Sequence, residues 1–105
     1  MVVKKLKYCV NNEWKESMSG RYSPVMNPST GEQIAEAPIC TKAEVEAAVT
    51  AARAAYPGWS GQPVAVRTQV IFAFRDLVNK HFDELSTLLA TEMGKNLAEA
   101  KGDVH

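Results

Sequence analysis

The sequence predicts an α+β fold: two N-terminal β-hairpins followed by three or four helices. Three observations carry that reading. Residues 1–40 alternate short extended runs with turns rich in Asn, Pro and Gly. From Thr41 onward the apolar residues recur at helical spacing instead. Strands first and helices after is the order of an α+β chain, not of alternating βαβ units. The 105 residues suffice for one domain-sized piece, read as a single segment with 1–40 forming the hairpins and 41–105 the helices.

The first extended run is Leu6–Val10, with Lys4, Lys5 and Lys7 as a solvated lead-in. Asn11-Asn12 follows, and both residues tolerate the left-handed backbone of a tight hairpin turn. Glu13-Trp14-Lys15 is the return strand, with Trp14 expected as its packing residue. Ser19-Gly20 marks another turn before Tyr22–Met26. The Asn27-Pro28-Ser29-Thr30-Gly31 cluster then turns the chain into Gln33–Ala37, completing a second hairpin.

Thr41-x-x-Glu44 is a capping box, in which the threonine oxygen takes a free amide and the glutamate reaches back. Val45, Ala48, Val49, Ala52 and Tyr56 form the helix stripe, and Pro57-Gly58 is expected to stop it. After a linker through Trp59, Pro63 suits a first helical turn. Val66, Val70, Phe74 and Leu77 make one stripe, broadened by Ile71 and Val78; Phe82, Leu85, Leu88 and Leu89 make another. The two do not keep one register, which predicts a break near Asn79-Lys80-His81. Gly94 reads as a C-cap and Asn96-x-x-Glu99 as the start of a last helix. The stripes are wide and Phe72 lies outside the first, so a partner surface is expected to cover them.

Composition excludes several classes. The chain is 46% hydrophobic and 23% charged, with 12 basic and 12 acidic side chains, as in ordinary globular proteins and unlike disordered ones. Bases interspersed with acids, as in the Lys42/Glu46 and Lys95/Glu99 pairs, argue against nucleic acid as a partner. The longest apolar run, Val70–Phe74, is far too short to span a membrane. No secretory signal is read behind the N-terminal lysines, and the expected compartment is the cytoplasm.

The residues offer little chemistry of their own. The glycines fit no G-x-G-x-x-G, and Leu89 stands where a G-x-x-x-x-G-K cradle would need glycine, so no phosphate cradle of known type is present. Cys9 and Cys40 share no metal-type spacing with His81 or His105. Cys40, just ahead of a helix start, is the better nucleophile candidate, but a structural role is expected for both thiols. His81 has no catalytic context, and the adjacent Asp83 and Glu84 cannot face each other across a substrate. No catalytic residue is assigned within the chain.

The order of motifs resembles the N-terminal segment of the NAD(P)-dependent aldehyde dehydrogenase superfamily. The resemblance rests on Tyr8-Cys9-Val10-Asn11-Asn12-Glu13-Trp14, on Asn27-Pro28-Ser29-Thr30-Gly31-Glu32, on Ala47 through Tyr56 with Trp59-Ser60, on Arg67 and on Glu92-Met93-Gly94-Lys95. The run from Gly94 to Val104 looks most like the CoA-acylating methylmalonate-semialdehyde dehydrogenase branch. The resemblance implies an enzyme several-fold longer. In it a cysteine attacks an aldehyde, hydride passes to NAD or NADP on a Rossmann-type sheet, and water or CoA resolves the thioester. That machinery lies C-terminal to residue 105 in the family, and neither Cys9 nor Cys40 matches the nucleophile. The chain is therefore read as a truncated scaffold with no cofactor site, inactive alone, whose parent acts on a small-molecule aldehyde. A monovalent cation is implied at the carbonyls of Val25 and Met26 and the side chain of Glu92, where the family often has aspartate. Homo-oligomerisation or self-association is expected. Two readings compete: a stand-alone helical interaction or dimerisation module without activity, and a small thiol enzyme using Cys40.

Overall fold

The computed structural model describes residues 3–105 and divides the chain into two units. The first takes the chain up to Met26 together with Gln33–Gly61; the second takes Asn27–Glu32 with Gln62–His105.

In the first unit the strands are β1 (Lys4–Lys5), β2 (Tyr8–Val10), β3 (Glu13–Lys15), β4 (Tyr22–Met26) and β5 (Gln33–Pro38). β2 and β3 form an antiparallel hairpin, and Asn11 and Asn12 take φ of 54° and 64° at its turn, as their side chains allow. The other sheet has the order β1-β5-β4. β4 and β5 are the expected second hairpin, with a register shift between Val25 and Met26 where β5 carries Ile34 as an extra residue.

Two expectations are corrected here. Lys4-Lys5 is not a lead-in but a strand, paired in parallel with Ala35-Glu36 and anchored by Leu6 N–H donating to the Glu36 carbonyl at 2.8 Å. A two-residue parallel pairing between distant segments has no local turn signal to announce it. Trp14 is not a packing residue, because 71% of its surface is exposed. It pairs with exposed Cys9, and paired side chains share one face of the ladder, here the solvent face; Tyr8 and Val10 point the other way and are half-buried.

Helix α1 (Lys42–Ser60) starts at Thr41, whose hydroxyl accepts from Glu44 N–H at 3.2 Å while Glu44 accepts from Thr41 N–H at 2.8 Å. The helix does not stop at Pro57-Gly58 as the sequence suggested. Proline's fixed φ is helical and its missing amide forfeits one bond, so the last turn persists until Gly61 N–H caps the Pro57 carbonyl at 3.1 Å.

In the second unit, α2 (Val64–Lys80), α3 (Phe82–Met93) and α4 (Leu97–Val104) follow one another. Pro63 is the N-cap of α2, one position earlier than expected. The expected break falls at His81, with φ −104° and ψ 21° between α2 and α3. Gly94 caps α3 in the left-handed conformation at φ 74°, and the Asn96 side chain accepts from Glu99 N–H at 2.9 Å to start α4. α3 packs on α4, where the fully buried Ser86 and Ala100 are small enough to allow close approach. Lys95 pairs with Asp103, not with Glu99 as its helical spacing had suggested.

Candidate functional site

In the first unit one carboxylate organises the polar contacts. Glu44 leaves the first turn of α1 and accepts four hydrogen bonds: Ser17 Oγ at 2.6 Å, Thr41 N–H at 2.8 Å, Met18 N–H at 3.0 Å and Tyr8 Oη at 3.0 Å. Ser19 Oγ extends the cluster by donating to the Ile39 carbonyl at 2.6 Å. The bond from Ser17 and those from the Thr41 and Met18 amides hold the Glu44 carboxyl down at about 2 against partial desolvation. Burial, then the Glu44 contact and its charge, raise the Tyr8 phenol. A carboxylate so saturated has no lone pair left for general-base chemistry, so the cluster is a structural clasp between the Ser17–Ser19 loop and α1. The capping box announced half of it; Tyr8, Ser17 and Met18 lie too far away in sequence for any local signal.

Cys40 precedes the α1 N-terminus, half-buried, as the sequence implied, yet the anionic Glu44 occupies that N-terminus. Cys9 is exposed on β2 and not buried as a structural thiol would be.

In the second unit the Asn27–Glu32 turn carries its own bonds. Asn27 Oδ1 accepts from Ser29 N–H at 2.9 Å, and the Asn27 carbonyl accepts from Gly31 N–H at 2.8 Å. Its Pro28 sits against Gly94, where an added Cβ would come within 2.9 Å of the proline Cγ. Gly94 is thus required twice, by its backbone conformation and by this contact. At the end of α4 the hydrogen bond and charge of Asp103 raise the Lys95 ammonium, so Lys95 is engaged with its neighbour.

The residues marked for a cation fall in different units. Val25 and Met26 end β4 in the first unit, at the irregular step of the ladder. Glu92 is exposed in the last turn of α3 in the second, a turn that holds no basic residue. Among the described residues, no group of three or more His, Cys, Asp or Glu is placed to hold a metal ion, and no helix is long and apolar enough to cross a membrane.

The apolar stripes are largely uncovered. Val70, Ile71, Phe74 and Leu77 of α2 are each more than half exposed, as is Leu88 of α3, and Phe72 carries the Arg75 guanidinium 5.1 Å from its ring. The only hydrophobic residues buried among those described are Ala35 and Ala100.

Comparison with known proteins places this arrangement. The model of the aldehyde dehydrogenase family matches residues 14–105. The chain is 44% identical over 102 residues to a malonate-semialdehyde dehydrogenase of Listeria monocytogenes serotype 4b, covering 97% of this chain and 21% of that protein. Its backbone superposes with a TM-score of 0.91 on a putative methylmalonate-semialdehyde dehydrogenase from Sinorhizobium meliloti in complex with NAD, at 33% identity over 97% of this chain and 21% of that one. An NADP-dependent enzyme of E. coli aligns with a TM-score of 0.89 at 31% identity, with the same coverage. The chain spans about a fifth of the length of the relatives it matches, and corresponds to their N-terminal part.

Proposed function

The chain belongs to the aldehyde dehydrogenase family, and from that premise we propose that it is the N-terminal scaffold of an enzyme oxidising an aldehyde or semialdehyde with NAD or NADP. The observation that carries this is the agreement of sequence and backbone over 97% of the chain with only 21% of the relatives' length. The named relatives favour malonate or methylmalonate semialdehyde as substrate, and CoA as acyl acceptor rests on the resemblance of the run from Gly94 to Val104 alone. A cytoplasmic homo-oligomer fits such an enzyme. Family membership favours this reading over a stand-alone interaction module.

These residues do not fit a dinucleotide site. No glycine-rich fingerprint is present, and no step of the chemistry is assigned to this chain. For a monovalent cation only the donor type of each residue speaks: the carbonyls of Val25 and Met26 and the carboxylate of Glu92 are each hard oxygen ligands. A helix C-terminus is the negative end of the dipole, and Glu92 adds charge there with no basic residue in the last turn of α3. Val25 and Met26 would offer carbonyls beside the ladder irregularity.

The test is a steady-state assay of the 105-residue chain with NAD or NADP, with and without CoA, over a panel of aldehydes that includes malonate semialdehyde. No NADH or NADPH formation above blank is expected. Turnover by this chain would overturn the scaffold reading.

A further inference from the structure

The first unit carries a groove that the clasp does not use. Its volume is about 310 Å³, and Lys4, Lys5, Leu6, Lys7 and Trp14 line it. Trp14 is 71% exposed, an unusual state for the largest apolar side chain. Lys5 is already engaged, its Nζ lying 5.0 Å from the centroid of the Tyr22 ring. Lys4 and Lys7 are exposed and enter none of the ion pairs formed among the described residues. The charge is also unevenly spread: residues 1–22 hold five basic and two acidic side chains, and residues 23–105 hold seven and ten.

We propose that this groove binds a small planar anion, a ring stacking on Trp14 with a phosphate neutralised by Lys4 and Lys7. An exposed indole accepts any flat π-system, and its stacking is tolerant of ring type. The lysine stems and Leu6 supply apolar walls, while the ammonium heads stay free for an anion. The volume is at the lower end for small-molecule sites, which suits a mononucleotide-sized ligand.

The probe is AMP, with adenosine and inorganic phosphate as arms that each lack one half of it. The sequence has two tryptophans, so a Trp59→Phe background leaves Trp14 as the reporter of fluorescence quenching. In unsubstituted protein the Trp14 indole N–H resonance reports the same event if that variant folds poorly. Saturable binding of AMP is expected, with adenosine and phosphate each weaker by about tenfold or more. Replacing Lys4→Gln and Lys7→Gln together should weaken AMP by about tenfold with an unchanged far-UV spectrum, and raising salt from about 50 to about 200 mM should weaken it in the parent. Four results would each overturn the proposal: no saturation by AMP, adenosine binding as tightly as AMP, the double lysine variant binding AMP like the parent, or phosphatidylserine vesicles or oligo(dT) displacing AMP as the preferred ligand.

Discussion

The Ser17–Ser19 loop with the start of α1 and the exposed face of α2 are built in opposite ways. In the first, one carboxylate satisfies four donors and the local structure is complete. In the second, Val70, Ile71, Phe74 and Leu77 face outward with nothing in their unit to cover them. The contrast teaches where this segment is finished and where it is not. Polar bonds close the turns and helix starts locally, whereas the apolar face of α2 finds no cover within its own unit.

Substitutions can break that comparison on either side. The largest loss should follow Glu44→Ala, which orphans the Ser17, Met18, Thr41 and Tyr8 donors together. Its milder relative, Glu44→Gln, gives a pH signature. The Glu44 carboxyl is lowered from 4.5 to about 2 on folding, so its contribution is full above 4.5 and is lost as pH falls through about 2. Thermal melts of the parent should therefore lose midpoint across that window, and the glutamine variant should lose less. Equal acid sensitivity would show that the clasp is not electrostatic. Gly94→Ala comes next, at about 1–3 kcal/mol, because alanine must hold φ 74° and its Cβ must displace Pro28. Asn96→Ala should cost about 1 kcal/mol through loss of the α4 cap. The smallest effect belongs to the open face: Phe74→Ser should change stability by no more than about 0.5 kcal/mol while reducing association in light scattering. A loss of several-fold more would mean that Phe74 is packed, erasing the contrast.

What could be read from the sequence divides along the same line. Asn11-Asn12, Thr41 with Glu44, Gly94 and Asn96 act within a few residues, so turn and cap chemistry revealed them. The pairing of Lys4-Lys5 with Ala35-Glu36 and the approach of Pro28 to Gly94 join distant segments and left no local mark. Lys95 shows the limit of helical spacing: Asp103 on α4 outcompetes Glu99 for it. Of the candidate cation residues, Val25, Met26 and Glu92 have no spacing of their own to announce a site, and only the family resemblance singled them out. The uncovered stripes of α2 and α3 were legible as excess apolar surface, though not what would cover them.

Amide hydrogen exchange of the chain, resolved by residue, tests the central claim most directly. The amides of Met18 and Thr41, held by Glu44, should be protected well beyond the middle of α2, whose exchange should approach that of a fraying helix. Protection of α2 equal to or above that of the clasp would contradict the account, since it would mean the helix is already supported by its own unit.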